Sequence, residues 1–250
     1  TDAQALALTE APTRVQLGDR LTRGLGSGGD HTRGQKAAEE SRDDIKGLLL
    51  GSDMVFIAAG MGGGTGTGAA PIVAEIAKQS GALTIAIVTT PFGFEGTHRR
   101  QVAEEGIDNL LGKADTLIII PNDRLLALCD QKTNVDSAFQ MADDVLRHGV
   151  QAISEVITVP GLINLDFADV RTIMKDAGPA WMSIGMGSGQ NRAVNAAKEA
   201  LASPLLDVSI GGATGVLFNV VGGNSLTLFE VNEAAKIIKQ AVDPDANIIF

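Results

Sequence analysis

The 250-residue sequence is short of cysteine, of positive charge and of long apolar runs, and each shortage removes a class of protein. Its one cysteine, Cys129, cannot close an internal disulfide; it reads as a small buried apolar residue and fits a reducing compartment. Twenty Lys and Arg against thirty Asp and Glu leave a net charge of -10. That balance opposes a nucleic-acid or anionic-membrane surface, because such partners need clustered cations to neutralise phosphates. No apolar stretch approaches the about 18 residues of a membrane span, and the N-terminus lacks the basic-then-apolar order of a secretion signal. The expectation is a soluble, cytoplasmic protein without direct membrane insertion. His31 has no second metal-binding side chain spaced to join it, so it reads as a solvated loop residue. What remains is globular composition, 44% hydrophobic and 20% charged, enough for a substantial core in one or two domains.

The chain is organised around Gly60-Met61-Gly62-Gly63-Gly64-Thr65-Gly66-Thr67-Gly68-Ala69-Ala70-Pro71, which follows the strand-like stretch Met54 to Ala59 and opens a helix. Backbone this poor in Cβ atoms lets amides approach a bound group closely, and the following helix adds the positive end of its dipole, so the run reads as a phosphate cradle. Its plainer reading is a flexible strand-to-helix turn. No lysine lies within it, and the Gly-Lys-Ser/Thr ending of a P-loop is absent, which leaves backbone amides, threonine hydroxyls and a metal ion to hold phosphates. Gly64 to Ala69 also satisfies the G-x-G-x-x-A dinucleotide form. The acid that form needs about 20 residues on is replaced by Thr89, Thr90 and Pro91, which weakens an NAD-dependent oxidoreductase without removing it.

A second glycine-rich loop, Gly24 to Asp30, precedes an amphipathic pattern from Gln35 to Leu50. Before it, residues 1 to 23 read as loop with a short strand near Arg14 to Leu17. Beyond the glycine run, Pro71 to Gln79 reads as helix and Ala82 to Thr89 as a buried strand. Pro91 to Gly96 is a loop, Thr97 caps a helix, and Thr116 to Ile120 is a strand. This alternation predicts an α/β fold, a mainly parallel sheet with helices on both faces and ligands at the carboxyl ends of its strands. Apolar residues every three or four places from Val135 to Val159 predict a helix of about 35 Å, a central spine ended by Pro160-Gly161. The second half reads as α+β: a helix from Asp166 to Ala177, a strand from Ala180 to Gly185, a glycine turn at Gly185 to Gly189, a helix from Arg192 to Leu201 and a strand from Val216 to Val221. Trp181 and the methionines read as core.

The stretch Gly62-Gly63-Gly64-Thr65-Gly66-Thr67-Gly68 resembles the tubulin signature, and its surroundings resemble the FtsZ family, bacterial cell-division GTPases of the tubulin superfamily. The likeness runs from Thr1-Asp2-Ala3-Gln4-Ala5-Leu6 through Pro91-Phe92-Gly93-Phe94-Glu95-Gly96, Pro121-Asn122-Asp123-Arg124-Leu125-Leu126 and Asn164-Leu165-Asp166-Phe167-Ala168-Asp169-Val170 to Asn247-Ile248-Ile249-Phe250. It implies a tubulin-like, Rossmann-type GTP-binding domain over 1–134, a connecting helix over 135–160 and an α+β activation domain over 161–250. The family normally opens with a strand, a further glycine loop, a helix and a second strand, and it continues past the position of Phe250. The chain is therefore expected to be incomplete at both ends, with an empty inner slot in its sheet, two unpaired edges and uncertain activity of its own. A non-enzymatic remnant is the third reading, beside the GTPase and the oxidoreductase.

The resemblance also implies roles. Gly26, Ser27, Gly28 and Gly29 would meet the γ-phosphate, and Gly62, Gly63, Gly64, Thr65, Gly66, Thr67 and Gly68 the other phosphates, with Mg²⁺. Pro91, Glu95 and Arg99 would lie on the sugar or phosphate side, and Asn122 would reach the ribose or base. Phe139 would stack near the base and Asp143 read its edge; guanine offers N1–H and N2–H₂ side by side to a carboxylate, where adenine offers an acceptor. Asp166, Asp169 and Asn164 would act on the GTP of a neighbouring subunit in a head-to-tail filament, polarising water for hydrolysis. Without the resemblance, Asp166 is equally an N-cap and Asp169 a first-turn acid. The partners implied are further copies of the chain and division proteins of the septal ring at midcell.

Overall fold

A computed structural model describes residues 1–126, 134–161, 165–206 and 210–250. In chain order its elements are α1 (Ala3–Leu8), α2 (Asp19–Thr22), α3 (His31–Glu40), α4 (Arg42–Leu49), β1 (Met54–Gly60), α5 (Thr65–Gln79), β2 (Leu83–Thr90), α6 (Thr97–Leu110), β3 (Thr116–Pro121), α7 (Asn122–Leu125), α8 (Val135–Thr158), α9 (Phe167–Met174), β4 (Gly178–Ala180), α10 (Arg192–Leu201), β5 (Gly215–Leu217), α11 (Leu228–Ala241) and β6 (Asn247–Ile249). Strands β1 to β4 form one parallel sheet in that order, and β5 pairs with β6 in a second.

Strand β2 shows why the main sheet is doubly covered. Its alternate side chains part to opposite faces. Ala86 and Val88 join Val55, Ile57 and Leu117 beneath Ala70, Ala74 and Ala77 of α5 and Ala103 and Leu110 of α6. Leu83, Ile85 and Ile87 join Ile118 and Ile120 beneath Ala142 and Ile153 of α8 and Val170 and Met174 of α9. Each Val, Leu, Ile or Met side chain among these contributes about 1.5–3 kcal/mol on burial, and a strand apolar on both faces is stable only between two helical layers. A third cluster, Ala38, Ile45, Ala69, Ile72 and Ile76, seats α3 and α4 on the outer face of α5. Helix α5 is thereby enclosed between the sheet and a second helical layer.

Several elements depart from the sequence expectation. The strand at Arg14 to Leu17 is loop, and residues 1–23 hold α1, capped by the Asp2 carboxylate, and α2 instead. The pattern from Gln35 to Leu50 belongs to two helices parted at Ser41, whose hydroxyl accepts the Gly18 N–H at 3.1 Å. Helix α5 starts at Thr65, six residues before Pro71, so Gly66 and Gly68 are helical. The cap of α6 is Gly96, at φ 102, rather than Thr97. Helix α9 stops at Met174 because Lys175 is extended and Asp176 left-handed at φ 53. The strands expected at Ala180 to Gly185 and Val216 to Val221 shrink to β4 and β5. After β4 the chain presses on α10 instead: a Cβ on Gly185 would stand 2.0 Å from the Ala196 oxygen and one on Gly187 1.8 Å from that of Arg192. Trp181, 46% exposed, and Met186, 75% exposed, are outside the core, whereas Met61 and Met174 are in it. Among the described residues no inner slot of the main sheet is empty, since β1, β2, β3 and β4 are contiguous, with β1 and β4 as its two edges. Cys129 lies outside the described residues.

The second half has its own tie. Arg192 Nε donates to Glu230 Oε1 at 2.7 Å, Arg192 Nη2 to the Ser225 carbonyl at 2.6 Å, and Glu230 also closes the Thr227 capping box of α11. The Arg192 guanidinium, then the Thr227 amide and hydroxyl, hold the Glu230 carboxyl down at about 2, from an ordinary 4.5. A carboxyl lowered on folding stabilises the fold above its unfolded value, and that contribution disappears as pH falls through the folded one. Glu230→Gln should therefore lower the melting temperature at pH 7, and the deficit against wild type should shrink as pH falls from about 4.5 toward 2, read as thermal melts across that range.

Candidate functional site

The loops that sequence reasoning singled out meet at the carboxyl ends of β1, β2 and β3. At the end of β1 the chain turns through residues 61–64 into α5. The glycines of this turn have separate reasons to lack a side chain. A Cβ on Gly62, at φ 100, would meet the Arg99 oxygen at 2.8 Å; one on Gly64 would meet Ser27 Oγ at 2.1 Å, one on Gly66 the Gly60 oxygen at 2.7 Å, and one on Gly68 the His31 oxygen at 2.1 Å. Gly34 of α3 answers Gly68, since a Cβ there would reach the Gly64 oxygen at 2.1 Å. Most of the glycines thus let backbones approach one another. Gly63 is different: nothing lies within 4 Å of its Cβ position.

Thr67 Oγ1 accepts the Gly62 N–H at 2.9 Å and fixes the turn from within. Helix α5 has Gly64 at its N-cap, no side-chain cap and no acid in its first turn. Its opening amides have no intrahelical acceptors, and its positive dipole end has no counter-charge. Neighbouring α3 is the opposite case. Asp30 caps it, accepting Thr32 N–H at 2.8 Å, Thr32 Oγ1 at 2.7 Å and Arg33 N–H at 3.2 Å, and the Thr32 hydroxyl first among these holds the Asp30 carboxyl below its ordinary range. Of the two adjoining helix starts, one carries its own anion and the other is free to take one.

Gly26, Gly28 and Gly29 are all left-handed, at φ 82, 66 and 81, which folds their loop across the start of α5. Ser27 is buried, and its hydroxyl lies 3.3 Å from Thr65 Oγ1, which also bonds the Thr1 hydroxyl. Three hydroxyls therefore gather at the α5 N-terminus. Thr1 has no spacing signal in the sequence that would have drawn it in.

The third wall comes from residues 91–99. Pro91 Cγ stands 3.3 Å from the Gly62 Cβ position, so this loop packs on the glycine turn. The Glu95 carboxylate accepts the Phe92 N–H at 2.9 Å through Oε1 and Arg99 Nη1 at 2.6 Å through Oε2. The Phe92 ring is buried, stacked on Phe94 at 5.1 Å and edge-on to Phe139 at 5.3 Å. Asp143 follows Phe139 by one turn of α8 and is exposed. Asn122, 5% exposed at the end of β3, has a buried Oδ1 with no hydrogen-bond partner, and an unmet buried acceptor of this kind calls for a donor. A cavity of about 350 Å³ lies elsewhere, between α4 and the end of α5, whereas one of about 300 Å³ runs along β1 and reaches Thr65 and Gly66 at the start of α5. The site itself is an open face.

Asp166 and Asp169 are not part of that face. They cap α9 reciprocally: the Asp169 N–H donates to Asp166 Oδ1 at 2.9 Å and the Asp166 N–H to Asp169 Oδ2 at 3.3 Å. Along α9, Arg171 Nη2 reaches the Gly81 oxygen just before β2, and the Met174 carbonyl takes the hydroxyl of Thr116, the first residue of β3. Those are the amino ends of the strands, opposite the glycine turn. Asn164 lies outside the described residues.

With the geometry in place, the comparisons are consistent across the chain. Residues 1–130 match the Tubulin/FtsZ family, GTPase domain, and residues 178–250 match the FtsZ family, C-terminal domain. An empty FtsZ dimer from M. jannaschii is 48% identical with a TM-score of 0.95, covering 100% of this chain and 72% of that one. GDP-bound monomeric CetZ1 from Haloferax volcanii is 21% identical with a TM-score of 0.80, covering 100% of this chain and 77% of that one. CetZ from Methanosaeta thermophila is 19% identical with a TM-score of 0.72, covering 89% and 64%. The last two share the fold.

The glycine geometry separates two substitutions. Gly68→Ala puts a methyl into the α3 backbone and should destabilise the protein by about 1–3 kcal/mol. Gly63→Ala meets nothing and should leave the denaturation midpoint unchanged, so any effect it has on ligand binding reports the ligand.

Proposed function

The chain belongs to the Tubulin/FtsZ family, and from that premise we propose that it binds guanine nucleotide at the carboxyl ends of β1, β2 and β3 and hydrolyses GTP between subunits of a head-to-tail filament. The observation that carries this reading is the uncapped start of α5, free of acids and roofed by the hydroxyls of Ser27, Thr65 and Thr1, beside an α3 that already holds Asp30. A polyanion is the ligand such a start accepts.

In this reading the amides of residues 63–66 and the loop Gly26 to Gly29 hold the phosphates. Arg99, whose carbonyl lies beside Gly62, and Glu95, bonded to the Arg99 guanidinium, take the sugar side; Asn122 supplies an acceptor, Phe139 takes a face or edge of the base, and Asp143 accepts from N1–H and N2–H₂ of guanine. Among the described residues no group of three or more His, Cys, Asp or Glu is placed to hold a metal ion, so Mg²⁺ would sit on the phosphates, within reach of Thr65 and Ser27. Bound there, it would neutralise charge developing on the phosphoryl oxygens.

Asp166 and Asp169 belong to the far end of the sheet, so they can meet the phosphates only of another copy stacked along the same axis. That is a heterologous contact, which repeats into an open filament. The open face of the nucleotide site suits it, since a second subunit would cover the ligand and exclude water. The same reading divides the chain into a nucleotide domain over 1–134, a connecting helix over 135–160 and an activation domain over 161–250, with α9 and β4 of the last part packed on and paired with the main sheet. In the same reading the protein would act in the septal ring of dividing cells, in the cytoplasm at midcell, with other division proteins as partners.

The test is the total rate of GTP hydrolysis against protein concentration with Mg²⁺. It should be near zero below a threshold and rise linearly above it. Asp169→Asn keeps the acceptor that caps α9 and should bind GDP as wild type does while losing about a hundredfold in turnover. Turnover per chain that is independent of concentration, or an Asp169→Asn protein as fast as wild type, would remove the cross-subunit site.

A further inference from the structure

We infer that Asp123 is a positioning residue for the guanine site, acting through the turn 92–95 on the rings of Phe92, Phe94 and Phe139. The inference rests on the site proposed above and adds a residue to it that touches no nucleotide.

The turn is held by two carboxylates from different elements. Glu95 grips it from within, accepting the Phe92 N–H at 2.9 Å. Asp123 grips it from α7, accepting the next amide, Gly93 N–H, at 2.7 Å through Oδ1, while Oδ2 takes Arg100 Nη2 at 2.7 Å. A Cβ on Gly93 would lie 3.4 and 3.5 Å from the two carboxylate oxygens, so the carboxylate packs directly on the turn. Two consecutive amides, each fixed to a charged acceptor, leave the Phe92–Gly93 backbone little freedom.

That backbone carries the aromatic corner. Phe92 and Phe94 stack at 5.1 Å with 11° between their planes, and both meet Phe139 edge-on, at 5.3 and 6.5 Å. Phe94 is 63% exposed and Phe139 40% exposed, so neither is held by burial alone. Their orientation depends on the turn below. Phe139 in turn stands one helical turn before Asp143, so a shift at Gly93 reaches the edge-reading carboxylate through one ring contact and one helix.

A purely stabilising role for Asp123 fits less well. Its pair with Arg100 is solvent-accessible on both sides, with 39% and 51% of the side chains exposed, and such pairs contribute little. What Asp123 does that no other described residue does is accept the Gly93 N–H.

The experiment measures binding of GDP and of inosine diphosphate, which lacks the 2-amino group, to wild type, Asp123→Ala and Asp123→Asn, with melting temperatures alongside. Wild type should prefer GDP. Asp123→Ala should melt normally, bind GDP about tenfold more weakly and lose much of its preference over inosine diphosphate. Asp123→Asn, whose amide oxygen still accepts from Gly93, should recover GDP affinity to within about threefold of wild type. Wild-type affinity in Asp123→Ala, an equal loss for both nucleotides, or an Asp123→Asn protein as poor as Asp123→Ala would each overturn the inference. Failure of wild type itself to bind GDP would instead overturn the site assignment on which the inference stands.

Discussion

The structure depends on a close backbone approach between α3 and the first turns of α5. Side chains would ordinarily hold two helices 8–10 Å apart, but Gly34 and Gly68 remove the spacers, and the carbonyls of Gly64 and His31 occupy the room that two Cβ atoms would need. Three consequences follow together. The buried cluster Ala38, Ala69, Ile72 and Ile76 closes between the helices. Asp30 and the glycine loop before it are drawn over the start of α5. Ser27 comes to lie on Gly64, so its hydroxyl can meet that of Thr65. Packing and ligand geometry are here the same contact, and a glycine that looks dedicated to a phosphate is in most cases dedicated to another stretch of backbone.

The charges are arranged with equal economy. A helix start is an anion site only where nothing else has taken it. Asp30 occupies α3, Asp166 and Asp169 occupy α9, and Thr227 with Glu230 occupies α11, whereas α5 opens on glycine and threonine alone. The sheet adds direction. All strands of the main sheet are parallel, so the site loops that follow β1, β2 and β3 leave from one end and the α9 carboxylates sit by the other. That separation of the open site from the α9 carboxylates is what the proposed head-to-tail stacking rests on.

How much of this the sequence shows depends on range. Strand β2 and the spine α8 were legible because an unbroken Ile/Val run and a 3.6-residue period are local signals. Helix α10 was read to its ends for the same reason. The start of α5 was not, because Gly66 and Gly68 have poor helix propensity and sit in the helix where Gly66 packs on Gly60 at the end of β1 and Gly68 on α3. Ser41 breaks one apparent helix into two for a partner, Gly18, that is 23 residues away. In the site, motif likeness named Glu95 and Arg99, but Asp123 and Arg100 are joined across 23 residues and Thr1 and Thr65 across 64, distances at which one sequence carries no pattern. Helix α11 was missed although Thr227-Leu228-Phe229-Glu230 is a capping-box signature.

The capping box at Asp166 and Asp169 bears on whether the same two groups can also serve chemistry. Capping uses one oxygen of each carboxylate: Oδ1 of Asp166 takes an amide of the helix, and Oδ2 of Asp169 returns the bond to the chain entering it. A carboxylate has two oxygens and about four lone-pair directions, so each keeps an oxygen for water. Both side chains are exposed, so the remaining oxygens are open to solvent. The reciprocal bonds also lock both rotamers, so that whatever approaches this end of the molecule meets two fixed carboxylates rather than two mobile ones. Fixing the acceptors before the reacting group arrives removes an ordering cost from the reaction itself. The plain structural role of the pair and its proposed catalytic one therefore do not compete; the first supplies the rigidity that the second requires.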